Sequence, residues 1–402
     1  MRQVGSKLNI LFLSSRLPYP PIGGDRLKNY WLLKILAKHF KVHLVSLTDT
    51  DVPAGFYKFA EECGFSYKIF KKSKFAHYCN SLKGILSKYP LQVSYYYFQD
   101  VQNYIKSVIK DFDLIISTLI RTARYVVDIE KPKILDMADS IGQNYLNSAQ
   151  KTRSPFWKII YSIEKNRLLN YERFCIEKFD RTLLFNKDEV KFFSNPQKVF
   201  WIPHGVDESL LDNEKTDPRF KNYIVFFGKM DYQPNIDAVL WFIERVLPRL
   251  DKSLTFCVLG ANPPKFLINM QNRYKNLKVL GFVDEPHVIL KSSLCVVAPM
   301  QTGGGIQNKV LQSMALGTIN IISSLASKPI GGENWKHYIV SDEPEYIVEV
   351  IHDILKNPDK YKKIKDEARN FIRNNFTWSI YERELLRHIQ EVLNAHQGKS
   401  SA

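Results

Sequence analysis

LCVVAPMQTGGGIQNKVLQSMALG, residues 294–317, sets an apolar run against a glycine-rich turn and then a segment with helical spacing. LCVVAP reads as a strand buried on both faces, because such strands carry continuous apolar runs rather than an alternation. Val310, Leu311, Met314 and Ala315 fall on one face at the 3.6-residue helical period. Between strand and helix, Gly303, Gly304 and Gly305 form a turn whose backbone N–H groups, together with the helix dipole, suit an anion. Lys309, in the first turns of the helix, adds a cation to that field. An ordinary glycine-rich connection has the same composition, so the rest of the chain has to decide between the two.

Working outward, the alternation of strand and helix continues on both sides. NYIVFFG (222–228), LTFCVLG (254–260), LKVLGFV (277–283) and TINIISS (318–324) read as further strands, with helices over 235–246, 344–355, 358–374 and 378–393. Near the start, LNILFLS (8–14) is a strand, Gly23-Gly24-Asp25 a turn into a helix ending near residue 39, and KVHLVSLT (41–48) the next strand. LIIS (114–117), KILD (133–136) and RTLLF (181–185) follow. The stretch 199–211 breaks the pattern with Pro203 and Gly205, and polar residues 212–221 mark a linker. The expected architecture is α/β with two doubly wound domains, 1–205 and 206–375. A last helix, 376–394, and a disordered tail, 395–402, complete it.

Composition narrows the class. The 402 residues are 45% hydrophobic, enough for two cores. No run approaches the ~20 apolar residues of a membrane span. Five widely scattered cysteines without CxxC spacing argue against a disulfide framework or a zinc site and suit a reducing, cytoplasmic compartment. The net charge of +16 is uneven: residues 1–205 hold 32 Lys and Arg against 18 Asp and Glu, whereas the remainder holds 25 against 23. An anionic surface or ligand is therefore expected to meet the first half. Lys68, Lys71, Lys72 and Lys74 interleave with Phe70 and Phe75, and Lys151, Arg153 and Lys158 flank Phe156 and Trp157, a pattern suited to an anionic bilayer. The same aromatics could instead cap the first domain's core.

PPIGGDRLKNYWLL (20–33), IPHGVD (202–207), FFGKMDYQPNIDAVLWF (226–242), LGFV (280–283), residues 298–317 and NFTWSIYE (375–382) occur in an order that resembles glycosyltransferase family 4, of the GT-B fold, in its bacterial exopolysaccharide and lipid-linked-glycan branch. The likeness runs over nearly the whole chain. It implies two Rossmann-like domains facing a cleft, a C-terminal helix crossing back to the first, and a nucleoside-diphosphate sugar held mainly by the second. It also implies transfer with retention and without a metal or other cofactor.

The resemblance assigns residues as well. Gly23 and Gly24 correspond to a loop that closes on the donor phosphate; as an alternative, this is a tight turn with Asp25 as helix cap. Lys229, after Gly228, stands where the family has an arginine facing the pyrophosphate, and keeps the charge without the bidentate geometry. The family's next cation is missing from Tyr232-Gln233-Pro234-Asn235, and Lys309 is the expected replacement, unless it is a surface lysine. The family's paired glutamates are replaced by Gly304 and Gln312. Gln312 retains an amide oxygen for the ribose hydroxyls, and the amides of Gly303, Gly304, Gly305 and Ile306 remain for the sugar. Main-chain groups near Phe282 and Val283 are expected at the base, with UDP favoured over GDP.

In the first domain, Asp136 and Asp139 end a strand; Asp139 is expected to orient or deprotonate the acceptor hydroxyl, or else to cap the next helix with Ser140. Arg121 ends another strand and suits an acceptor phosphate. The expected partners are a nucleotide-sugar, a lipid-linked or glycan acceptor and the inner face of an anionic membrane, to which the protein binds peripherally. Two rivals stand beside this reading: a nucleotide-sugar binder without turnover, motivated by the absent glutamates, and a nucleic-acid binder, motivated by the charge but lacking any nucleic-acid module.

Overall fold

A computed structural model describes residues 7–151, 155–303 and 305–400. The chain divides into two compact units, one formed by Met1–Ile202 with Glu382–Ala402 and the other by Pro203–Tyr381.

The first unit is built on β1 (Asn9–Ser14), β2 (Lys41–Thr48), β3 (Ser66–Lys71), β4 (Leu114–Thr118), β5 (Lys133–Ala138), β6 (Arg181–Leu184) and β7 (Val199–Trp201). All pair in parallel, in the order β3-β2-β1-β4-β5-β6-β7. The central strands are apolar throughout because helices cover both faces; Ile10, Leu11, Phe12 and Leu13 of β1 are all buried. Helix Gly24–His39 starts at Gly23, whose φ of 96° lies where side chains other than hydrogen are strained, and seats Leu32, Leu33, Ile35 and Leu36 in the core.

The second unit contains β8 (Tyr223–Phe227), β9 (Thr255–Leu259), β10 (Leu277–Gly281), β11 (Cys295–Ala298), β12 (Asn320–Ile322) and β13 (Ile339–Val340). Their order is β10-β9-β8-β11-β12-β13, again parallel. Helix Asn308–Ala315 follows β11 and buries Val310, Leu311, Met314 and Ala315.

Both sheets reverse their winding once, between β1 and β4 and between β8 and β11. At such switch points the loops leaving adjacent strands diverge to opposite faces and open a crevice at the carboxyl ends.

Three strands lie outside the sequence expectations, β3, β7 and β13. Each is at a sheet edge, where a strand is short or carries charge and so has no buried run to read; SYKIFK of β3 is exposed or half-buried throughout. The expected disordered tail is also corrected. Helix Trp378–Ser400 continues past residue 394, and His396 Nε2 lies 2.9 Å from an oxygen of Asp180. The five cysteines are all free.

Candidate functional site

The crevice between β8 and β11 gathers the residues on which the sequence reading turns. Leaving β8, the Gly228 N–H donates to Leu259 O (2.9 Å), and a Cβ on Gly260 (φ 147°) would stand 1.8 Å from Gly228 O. The two loops therefore meet backbone on backbone. A Cβ on Gly228 itself would come 2.8 Å from Asn235 Nδ2 and 3.1 Å from Lys309 Cε. Gly303 has φ 84° and packs on Pro234, 3.3 Å from where a Cβ would lie. Gly228, Gly303 and the 232–235 turn thus wall the space into which Lys309 reaches.

Lys309 is buried, contrary to the surface alternative. Its Nζ donates to Asn235 Oδ1 and Gln307 Oε1, each at 2.9 Å, contacts Met300 Sδ at 3.8 Å and lies 5.1 Å from the centre of the Phe226 ring. Its hydrogen-bond acceptors are amide oxygens and a thioether. Burial, with no carboxylate against it among the described residues, pushes the ammonium down to about 7. Such a lysine is finished either by losing its proton or by meeting an anion.

Around it, Gln307 is the N-cap of helix Asn308–Ala315, but its side chain makes no cap hydrogen bond; Nε2 turns back to Gly305 O at 2.8 Å. One turn apart on that helix, the buried Asn308 Oδ1 and Gln312 Oε1 have no hydrogen-bond partner among the described residues. Lys229 is half-exposed and lies 3.0 Å from Asp231, while its carbonyl accepts from Asn235 Nδ2 at 2.8 Å. Ile306 and Val283 pack against the core; Phe282 is exposed at the end of β10, two strands from the crevice. Gly304 lies outside the described residues. Sequence reasoning missed Gln307, and it took Asn235 only as part of the turn that lacks a lysine. The structure makes Asn235 the group that holds Lys309.

The first unit's crevice, between β1 and β4, is charged differently. Arg16, in the loop after β1, places Nη1 3.3 Å from Asp25 Oδ2 and donates through Nε to Tyr96 Oη at 2.9 Å. Arg121, after β4, lies 3.9 Å from the same Asp25 oxygen, donates to Gln92 Oε1 at 3.0 Å and stacks 5.2 Å from the Tyr96 ring centre. Two guanidinium groups share the Asp25 carboxylate. Asp25 is not the helix cap; that position is Gly23. Leu119 (φ 60°) and Ala138 (φ 64°) hold left-handed backbone at the ends of β4 and β5, strain of the kind that functional sites retain.

Asp139 follows that strained Ala138. Burial raises its carboxyl above the ordinary range, opposed by a hydrogen bond from Asn144 Nδ2 at 2.9 Å and by Arg121. It does not cap helix Ile141–Lys151. Ser140 Oγ accepts from Gln143 N at 3.1 Å, and the buried Glu172 accepts from Ser140 Oγ (2.7 Å) and Gly142 N (3.0 Å), with its own carboxyl pushed up to about 7 by burial. Asp136 does not line the crevice. It is wholly buried and paired with Lys28, equally buried on helix Gly24–His39.

The basic segments are corrected in part. Phe70 packs against the core, Lys71 and Lys72 pair with Asp51 (2.5 Å) and Asp100 (2.6 Å), and Lys68 lies 5.8 Å from the Phe70 ring centre. A depression of about 450 Å³ at the ends of β2 and β3 includes that Lys71–Asp51 pair and lies at the sheet's edge rather than its switch point. The side chains of Lys151, Arg153, Phe156 and Trp157 lie outside the described residues.

Residues 221–357, within the second unit, match the family described as Glycosyl transferases group 1. An uncharacterised 44.6 kDa protein in the cps region of Klebsiella pneumoniae is 21% identical over 392 residues, covering 91% of this chain and 96% of its own. Anabaena HepE in complex with UDP aligns with a TM-score of 0.68 at 13% identity over 96% of this chain and 100% of that one. Sucrose-phosphate synthase from Thermosynechococcus elongatus aligns with a TM-score of 0.71 at 13% identity, over 97% and 100%. The fold is GT-B, and the stretch that resembles group 1 glycosyltransferases lies within the second unit.

Proposed function

We propose that the chain is a retaining glycosyltransferase that moves a sugar from a nucleoside-diphosphate sugar, UDP in preference to GDP, to a hydroxyl of a membrane-presented or polyprenyl-pyrophosphate-linked saccharide. The observation that carries this reading is Lys309, a buried ammonium with neutral acceptors at a switch-point crevice walled by glycines. A diphosphate supplies the anion that such a site lacks. The match of the surrounding domain to group 1 glycosyltransferases supports a nucleotide-sugar as its source. The UDP and UDP-glucose complexes of HepE favour uridine, and the cps-region relative favours surface polysaccharide synthesis.

In this reading the bond between the anomeric carbon and the diphosphate breaks as the acceptor oxygen bonds to the same face of that carbon. Charge develops on the leaving diphosphate. Lys309, the Gly303–Gly305 turn and Lys229, once drawn from Asp231, stabilise it, and no metal takes part. Gln312 Oε1, buried without a hydrogen-bond partner among the described residues, accepts from a ribose hydroxyl. Arg16 and Arg121 hold an anionic group of the acceptor, and Asp139, its carboxyl raised by burial, takes the proton of the attacking hydroxyl.

Calorimetry with UDP and GDP, followed by mass spectrometry with a panel of their sugars, tests this. Binding of UDP and transfer or hydrolysis of a UDP-sugar, both lost in Lys309→Ala, are expected. Absence of binding to any nucleotide would overturn the reading. Binding without turnover would support the alternative that Gly304 and Gln312, in place of two glutamates, leave a nucleotide-sugar binder.

A further inference from the structure

Helix Lys74–Ile85 of the first unit presents a continuous apolar stripe to solvent. Phe75, Tyr78, Leu82 and Ile85 are exposed, as is Leu86 just beyond the helix; Phe75 is 78% and Leu86 96% accessible. At about 100° per residue the four helical positions fall within about 80° of arc. The opposite face, with His77 and Gly84, is the buried one. It is firmly seated: His77 Nδ1 lies 2.8 Å from Tyr95 O, and a Cβ on Gly84 would stand 2.6 Å from the Ser94 side chain.

A second helix extends the patch. Ile159 and Ile163 of helix Pro155–Lys178 are exposed. Arg167 of the same helix donates through Nη2 to the carbonyls of Gly84, Ser87 and Tyr89 at 2.9, 2.6 and 2.8 Å, which clamps the end of the first helix beside it. Apolar patches of this kind on a folded surface mark an interaction site.

The charge around the patch selects its partner. Residues 71–99 contain five lysines and no Asp or Glu, and Lys158, next to Ile159, is exposed. Lys71 and Lys72 have acidic partners elsewhere, and Lys74 has Asp49 at 3.8 Å. Lys83, Lys88 and Lys158 have no ion pair among the described residues. A second copy of this chain would bring the same positive charge to the contact, whereas an anionic lipid surface neutralises it.

We propose that this face, the stripe of helix Lys74–Ile85 with Leu86, Ile159 and Ile163, docks on an anionic phospholipid bilayer. The aromatic and aliphatic side chains enter at headgroup level, and Lys83, Lys88 and Lys158 meet lipid phosphates. The surface begins at Phe75, the last residue of the 68–75 cluster to which the sequence points, and runs on along the helix, because the other ring and the cations of β3 already have partners inside the unit. It stands independently of the nucleotide-sugar reading.

Flotation of the full chain with vesicles of phosphatidylglycerol and phosphatidylcholine, against phosphatidylcholine alone, tests it at about 0.1 M salt and at about 0.5 M. The wild type is expected to float with the anionic vesicles at the lower salt and to be released at the higher. Leu82→Asp with Leu86→Asp, and separately Lys83→Glu with Lys88→Glu, are each expected to lower vesicle affinity about tenfold or more. All four positions are exposed, so thermal unfolding and UDP binding should be those of the wild type, and their retention separates this test from that of the donor site. Equal flotation by either variant, or no binding of the wild type to anionic vesicles, overturns the proposal. So does a wild-type dimer in sedimentation that Leu82→Asp with Leu86→Asp dissolves, since that assigns the face to a second copy.

Discussion

Two buried lysines in this chain lie beside the switch points of their units and have opposite surroundings. Lys28 is buried on the helix after β1 and Lys309 on the helix after β11, each beside its sheet's switch point. Each also lies near an aromatic ring, Phe185 at 4.8 Å and Phe226 at 5.1 Å. Lys28 meets the carboxylate of Asp136; Lys309 meets two amide oxygens. Burial lowers both, but only at Lys28 does a carboxylate oppose it. A buried charge answered by its own chain holds the fold together, and one left to neutral groups is held ready for a ligand.

That contrast is open to direct attack. Lys28→Met removes the ammonium from beside the buried Asp136 carboxylate and should cost about 3–5 kcal/mol in urea unfolding, whereas Lys309→Met, which strands only two amide oxygens, should cost no more than about 2 kcal/mol. Equal losses from the two would break the comparison. Function should divide the other way. Lys309→Ala is expected to reduce kcat/KM for sugar transfer by about 10²- to 10³-fold, and steady-state kinetics that show a loss below about threefold would remove Lys309 from the reaction.

A smaller effect is expected from Gly228→Ala. The new methyl, 2.8 Å from Asn235 Nδ2 and 3.1 Å from Lys309 Cε, must push the ammonium from its seat. UDP affinity by calorimetry should fall by about tenfold to a hundredfold, the 1–3 kcal/mol of an overpacked site. Unchanged affinity would mean that the position of Lys309 is not what the nucleotide reads.

The smallest and most diagnostic effect is in protons. Lys309, held at about 7 in the folded chain against 10.5 ordinarily, binds its proton less tightly folded than unfolded. The free protein should therefore gain stability as pH rises from about 7 toward the ordinary lysine range. Diphosphate binding favours the ammonium and so runs the other way, with affinity falling by up to about tenfold per pH unit above 7. Calorimetry near pH 8 in buffers of different ionisation enthalpy should show uptake of close to one proton on UDP binding, and none in Lys309→Met.

Much of the frame was legible in the chain itself. The strands flanking both switch points are written as uninterrupted apolar runs, because helices cover both of their faces, and KVHLVSLT coincides with β2 from first residue to last. Three of the four edge strands, β3, β7 and β13, were not legible, since an edge is kept short or charged to avoid further pairing. Within the site, Gly228, Gly303 and Lys309 could be read from glycine spacing and helix position. The burial of Lys309 could not, because its seat is made by Asn235, 74 residues away in sequence. Asp136 misled for the same reason. A carboxylate at a strand end looks available until Lys28, 108 residues earlier, is found against it. The helix beyond residue 394 carries a polar sequence, and what holds it is a long-range contact between His396 and Asp180.

The first unit is not continuous along the chain. The last helix supplies it with Glu382, bonded to Lys38 and His39, and with His388 and Glu391, bonded to Arg181; Leu385, Ile389 and Val392 are buried beside them. During synthesis this part emerges only after the whole of Pro203–Tyr381 has been made. At about 5–20 residues per second, the wait is on the order of 10–40 s. For that interval the amino-terminal unit stands unfinished while the second unit is being made, and the helix that completes it arrives only once the second unit's chain is whole.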